Sequence, residues 1–186
     1  LREKGVPAVV TTDGPSGIRL MTYASLLPCG TAIASTFNKD LVEKLYGAVA
    51  EEMLKKGSDV LLAPGMNIHR DPLCGRNFEY FSEDPYLTGT IASAQLHGLH
   101  QSGVTGTIKH FCGNNQETNR HDTNGVISER ALREIYLKGF EIAVKEGHAD
   151  SVMTTYGPIN GVWTAGSFDL TTQILRNDWG FTGFTM

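Results

Sequence analysis

The chain has 186 residues, 40% of them apolar and 19% charged, which suits one globular unit; no apolar run reaches the roughly 18–20 residues that a membrane helix needs, so a membrane partner is not expected. The formal net charge is −4 with no basic cluster, which argues against nucleic acid as a partner, because phosphate binding needs concentrated Lys and Arg. Cys29, Cys74 and Cys112 are an odd count without metal-ligand spacing, so free thiols are expected rather than a disulfide framework or a metal site.

A repeated unit runs along the chain. An apolar run, Ala8-Val9-Val10-Thr11-Thr12-Asp13, reads as a first strand. A helical pattern over 39–56 stops at Gly57, and a strand over 59–64 follows. A helix over 86–102 stops at Gly103, and Thr105-Gly106-Thr107-Ile108-Lys109-His110-Phe111 reads as the next strand. A helix over 129–146 stops at Gly147 and is followed by a strand over 151–156. A short helix over 171–179 stops at Gly180, and a strand opens at Gly183. Each of these glycines fits the left-handed position that closes a helix. Asp84-Pro85 and Ser128 fit helix starts, with Asp or Ser as N-cap and Pro at the first helical position.

Strands alternating with helices through short links imply a parallel α/β sheet. The strands are apolar without alternation, as strands covered on both faces should be. A doubly wound sheet or a (β/α)8 TIM-type barrel fits this pattern. Polar clusters at the strand ends favour the barrel, which gathers strand ends on one functional face. Five strands make a partial barrel. Leu1 is not an initiating Met and the chain stops inside a strand-like run, so residues 1–186 are expected to be one unit truncated at both ends. Unpaired strand edges would make such a piece poorly soluble. Localisation and oligomeric state are left open.

Four segments carry the chemistry. Thr12-Asp13-Gly14-Pro15-Ser16-Gly17-Ile18-Arg19 follows the first strand. Asp13 either caps a turn or offers two acceptor oxygens to a sugar diol at a barrel mouth. Gly75-Arg76-Asn77-Phe78-Glu79-Tyr80-Phe81 mixes charge with aromatic residues. Arg76 is expected to be held by a carboxylate, with Glu79 the leading candidate, either as a structural pair or as a group presented to a pocket. Lys109-His110 ends a buried strand, where a Lys must be paired or must snorkel to water. Val152-Met153-Thr154-Thr155-Tyr156 ends another strand; taken alone, Tyr156 is a half-buried core Tyr and Met153 a core filler. His69, His97, His100, His121 and His148 show no metal-ligand spacing.

In this order, the four segments resemble the first domain of glycoside hydrolase family 3, in its β-glucosidase branch. The resemblance implies a (β/α)8 barrel from a retaining β-glycosidase that needs no cofactor and takes a small carbohydrate, a β-glucoside or short β-glucan. It implies that Asp13 grips the nonreducing sugar in the −1 subsite and that Arg76, Lys109 and His110 bind its hydroxyls. It places Tyr156 near the nucleophile, Met153 beside the sugar, and Arg120 as a further contact. In the family, a strand after Gly-Phe-x-Gly-Phe carries Ser/Thr-Asp-Trp, whose Asp is the nucleophile. Gly180-Phe181-Thr182-Gly183-Phe184 matches the first part, so that Asp is expected just beyond Met186. The acid/base Glu is expected in a separate domain, because Cys112-Gly113-Asn114-Asn115-Gln116-Glu117 lacks the loop His of the N-acetylglucosamine branch. Two other readings stand beside this one. Lys109 could form a Schiff base, as in an aldolase or lyase, or the barrel could bind carbohydrate without catalysis.

Overall fold

The computed structural model describes residues 2–5 and 7–186. After β1 (Thr11–Asp13) come α1 (Gly30–Ala34), α2 (Lys39–Lys56), β2 (Val60–Leu62), α3 (Pro85–His100) and β3 (Thr105–Phe111). The second half holds α4 (Glu129–Ala131), a π-helical stretch Leu132–Tyr136, α5 (Lys138–Lys145) and β4 (Ser151–Thr154). A small hairpin of β5 (Pro158–Ile159) and β6 (Val162–Trp163), a π-helical segment Asp169–Asp178 and β7 (Phe184–Thr185) close the chain.

β1, β2, β3, β4 and β7 form one sheet in that order, with every pair parallel. The α/β architecture is therefore the expected one, a five-stranded arc of a TIM-type barrel with helices packed outside. Leu61, Ile108 and Val152 from three strands are fully buried, as are Tyr46 and Met53 of α2 and Leu96 and Leu99 of α3. This is the continuous apolar strand pattern of a sheet covered on both faces. α2 and α3 pack closely because Gly98 has no side chain: a Cβ there would lie 2.4 Å from the Glu43 carbonyl oxygen and 2.9 Å from the Gly47 nitrogen.

Helix starts follow the sequence. The Asp84 carboxylate accepts from the Tyr86 and Leu87 amides with Pro85 at the first position, and the Ser128 hydroxyl accepts from the Ala131 amide. Gly57, Gly103 and Gly180 are left-handed as expected, with φ of 71°, 75° and 76°. Gly147 is not. The left-handed residue there is His148 (φ 53°), and Gly147 serves close packing instead, since a Cβ would lie 2.9 Å from the Ser93 Cα. The helix expected over 129–146 is broken by its π-helical stretch, and the one expected over 171–179 is π-wound and starts at Asp169. An inserted residue in a turn leaves the apolar period almost unchanged, which hides it from pattern reading. β3 runs its full expected length, while β1, β2 and β4 are shorter than the apolar runs suggest, because ladder pairing ends before the apolar sequence does.

Candidate sugar-binding site

β1 delivers Asp13 to the C-terminal edge of the sheet, and a tight turn reverses the chain behind it. Gly17 makes this turn possible with φ 110°, where a Cβ would lie 2.2 Å from the Ser25 carbonyl oxygen. The Arg19 amide donates to the Asp13 carbonyl at 2.8 Å. The turn also brings the Arg19 guanidinium to Asp13 Oδ2 at 3.3 Å.

β3 supplies the other half. Its end is bonded to the segment after β2: the Lys109 amide donates to the Pro64 carbonyl at 3.0 Å, and the Met66 amide donates to the Lys109 carbonyl at 2.7 Å. Asn67 then clasps the backbone of His110, accepting from its amide at 2.8 Å and donating to its carbonyl at 2.9 Å. The Lys109–His110 and Phe111–Cys112 peptide bonds are cis. Lys109 does not snorkel. Its side chain is 4% exposed, and Nζ donates to Asp13 Oδ1 at 2.7 Å. Burial alone would raise the Asp13 pKa; the Lys109 hydrogen bond and charge, the Gly14 amide and Arg19 outweigh it and hold the carboxyl below its usual value.

Arg76 is paired with the buried Glu79 through a short Nε–Oε1 contact, as the sequence suggested. Arg76, Glu79 and Asp13 line one open cavity of about 390 Å³, with Arg19, Phe78 and Leu26 on its wall. So the guanidinium is both a structural partner and a pocket group. Phe78 is exposed, while Tyr80 and Phe81 are buried.

Met153 is in register with Lys109 across β3 and β4 and is half-buried. Tyr156 is not a half-buried core residue: it is 52% exposed. The Arg120 guanidinium carbon lies 4.7 Å from its ring centre, and the His121 ring is 4.6 Å away. Arg120 also donates to Glu117 Oε2 at 2.9 Å. The structure thus puts Asp13 and Arg76 on one opening with Lys109 bonded to Asp13, sets Met153 beside Lys109, and keeps Arg120 with Tyr156 as a second group on the same strand-end face.

His110 is buried, and its Nδ1 lies 3.1 Å from the Tyr80 hydroxyl. Burial first, then the charges of Arg76, Lys109 and Arg120, push its pKa down to about 2, so the ring is neutral at any ordinary pH. Of the immediate partners, Asn67 belongs to a polar cluster at a strand end, whereas Arg19, Tyr80, Asn114 and Glu117 have no distinct signal in the sequence, since each bonds across the fold or along a loop. For the Schiff-base reading, Lys109 Nζ is committed to a carboxylate, whereas such a lysine needs an uncommitted neutral amine. That alternative is not favoured. Among the described residues, no cluster of His, Cys, Asp and Glu could hold a metal ion.

A parallel β/α sheet with its charged side chains gathered at the strand C-termini is the layout of TIM-barrel enzymes. Residues 1–186 match the family model of the glycosyl hydrolase family 3 N-terminal domain, and the chain belongs to that family. A β-glucosidase of Ruminococcus albus is 66% identical over 188 residues, covering 100% of this chain and 20% of that protein. A crystal structure of a β-glucosidase from Paenibacillus barengoltzii superposes with TM-score 0.98 at 58% identity, over 100% of this chain and 20% of the other. β-glucosidase 3B from Thermotoga neapolitana in complex with glucose gives TM-score 0.97 at 49% identity, over 100% of this chain and 27% of the other. The chain thus spans about a fifth to a quarter of the length of these relatives. The family inferred from the strand-end motifs is the one to which the chain belongs.

Proposed function

We propose that this chain forms the glycone-binding wall of a retaining β-glucosidase. The observation that carries the reading is the buried Lys109–Asp13 pair at 2.7 Å, set at the strand ends beside Arg76. Each Asp13 oxygen has one cation partner and keeps acceptor capacity, so a sugar hydroxyl can accept from Lys109 or Arg76 while donating to Asp13. His110 adds a neutral donor. Arg120 and Tyr156 add a second polar edge, and Met153 an apolar contact.

In the reaction, a carboxylate attacks the anomeric carbon as a second carboxylic acid protonates the departing oxygen. Retaining enzymes hold these two groups about 5–5.5 Å apart. Water then displaces the enzyme carboxylate, and the sugar leaves with its configuration retained. In this reading both carboxyl groups come from outside residues 1–186, since Asp13 is committed to two cations. The hydroxyl contacts accelerate the reaction to the extent that they tighten as the ring flattens towards the oxocarbenium-like transition state. Binding of carbohydrate without catalysis is the second reading, favoured only in that none of the pocket groups is itself a free carboxylate.

The test is turnover of an aryl β-glucoside by the full-length protein, with the first-formed anomer read by NMR. Release of β-glucose is expected, and residues 1–186 alone should release none. Inversion, or binding of glucose without turnover by the full-length protein, would overturn the proposal.

A further inference from the structure

A single polar chain runs behind the strand-end face. The Arg120 guanidinium donates to Glu117 Oε2 at 2.9 Å. Glu117 Oε1 accepts from Asn114 Nδ2 at 3.0 Å, and the same Nδ2 donates to the Tyr80 hydroxyl at 2.9 Å. The Tyr80 hydroxyl lies 3.1 Å from His110 Nδ1. Tyr80, Asn114 and His110 are all buried.

The direction of donation along this chain is fixed by chemistry. A carboxylate bonded to a guanidinium only accepts, so the amide of Asn114 must turn its NH2 towards Glu117. Both hydrogens of that NH2 are then used, one on Glu117 and one on the Tyr80 oxygen. The Tyr80 hydroxyl therefore accepts from Asn114 and must place its own proton elsewhere. Among the described residues, the only other polar atom it meets is His110 Nδ1. A neutral imidazole that accepts at Nδ1 carries its proton on Nε2. Among the described residues, Nε2 has no hydrogen-bond partner.

We propose that Tyr80, oriented by Glu117 through Asn114, is a positioning residue that locks His110 as the Nε2–H tautomer, leaving one donor free for a substrate hydroxyl; its catalytic consequence rests on the reading of His110 as a glucose contact. The chain also joins two groups on the strand-end face. The carboxylate that orients Arg120 beside Tyr156 also sets, three groups away, which nitrogen of His110 is a donor. A change at either end is felt at the other without a shift of backbone.

The direct test is solid-state ¹⁵N NMR of the full-length protein labelled with ring-¹⁵N histidine, with His110 assigned by difference against His110→Asn. The expected spectrum shows a protonated Nε2 and an unprotonated Nδ1. In Tyr80→Phe the Nδ1–H form should appear. Glu117→Gln, which keeps volume and lies nearer the surface, should loosen the same preference and serves if Tyr80→Phe does not fold. A protonated Nδ1 in the wild type, or a tautomer unmoved by either variant, overturns the proposal. This readout is independent of turnover, so a protein with the Nε2–H tautomer and no glucosidase activity would sink the functional reading alone.

Kinetics gives the second arm. Tyr80→Phe should lower kcat/KM for an aryl β-glucoside about tenfold, the worth of one hydrogen bond. Over a series of monodeoxy aryl glucosides, that loss should shrink for the one substrate lacking the hydroxyl that His110 meets, the same one picked out by His110→Asn. A uniform loss over the whole series would mean that Tyr80 acts only on the fold.

Discussion

Each end of β3 lies beside a pairing of a basic side chain with a carboxylate, and the two differ in their access to water. At the C-terminal end, Lys109 meets Asp13 with side-chain exposures of 4% and 38%. At the N-terminal end, His100 meets Asp150 at 3.4 Å with exposures of 27% and 65%, and Thr105 bonds to the same carboxylate at 3.3 Å. Water screens the second pair and largely leaves the first alone, and the first is also the shorter contact, at 2.7 Å, so the two differ in energy. In a barrel this matches the division of labour between a face that holds the site and a face that holds the fold.

The largest effects should come from breaking the buried pair. Asp13→Ala and Lys109→Met in the full-length protein should each lower kcat/KM for an aryl β-glucoside about a thousandfold, roughly 4 kcal/mol of transition-state binding. They should part on stability. Asp13→Ala strands a buried ammonium, which costs about 3 kcal/mol in urea unfolding. Lys109→Met fills the same space with an apolar chain and leaves a partly solvated carboxylate still held by Arg19, so about 1 kcal/mol is expected. Equal losses would show that the Lys109 ammonium is not as cut off from water as its 4% exposure implies.

The acid response follows from the same pair. Asp13 titrates below its unfolded value, so its contribution is present above the ordinary carboxyl pKa and is lost as pH falls through the folded one. Asp13→Asn should therefore flatten the loss of stability on acidification below about pH 4. A wild-type acid limb identical to the variant's would contradict the depressed titration.

Next in size is packing at the other end. Gly98 lies two residues before His100, where α3 crosses α2, and a Cβ would meet the Glu43 carbonyl oxygen at 2.4 Å. Gly98→Ala should cost about 3 kcal/mol by forcing the helices apart. Gly57→Ala, left-handed but with open space around it, should cost only about 1–2 kcal/mol from backbone conformation. Thermal unfolding of the two variants ranks them, and the reverse order would locate stability outside the α2–α3 contact.

What the sequence made legible divides along the same line. The sheet, its parallel order and the helix caps at Asp84 and Ser128 could be read, because period, glycine and cap chemistry are local. Asp13, Arg76 and Lys109 could be singled out, because charge at an apolar strand end is anomalous wherever it occurs. The identity of their partners could not. Lys109 and Asp13 are 96 positions apart, and only the register of three strands brings them together. Tyr80 looked like one more aromatic in a loop, and its hydroxyl gains meaning only from Asn114 and His110 on either side of it. The π-wound stretches were hidden because one inserted residue barely disturbs an apolar stripe.

The smallest predicted effect is the sharpest check on the contrast. Burial lowers the pKa of His100, the Asp150 charge opposes this, and His97 and His148 push in the same direction as burial. Asp150→Asn removes the one opposing charge, so the His100 titration followed by NMR should move further down. A base with a lowered folded pKa stabilises the fold above its unfolded value near 6.5 and withdraws that support as pH falls, so the variant should lose more stability than the wild type on going from pH 8 to pH 5. At pH 8, where His100 is neutral in both, the two proteins should agree within about 0.5 kcal/mol. Raising the salt should erase the difference at pH 5, because exposed charges are screened within about 10 Å at 0.1 M salt. A large, salt-insensitive cost at pH 8 would mean that the N-terminal end of β3 depends on its ion pair as much as the mouth does.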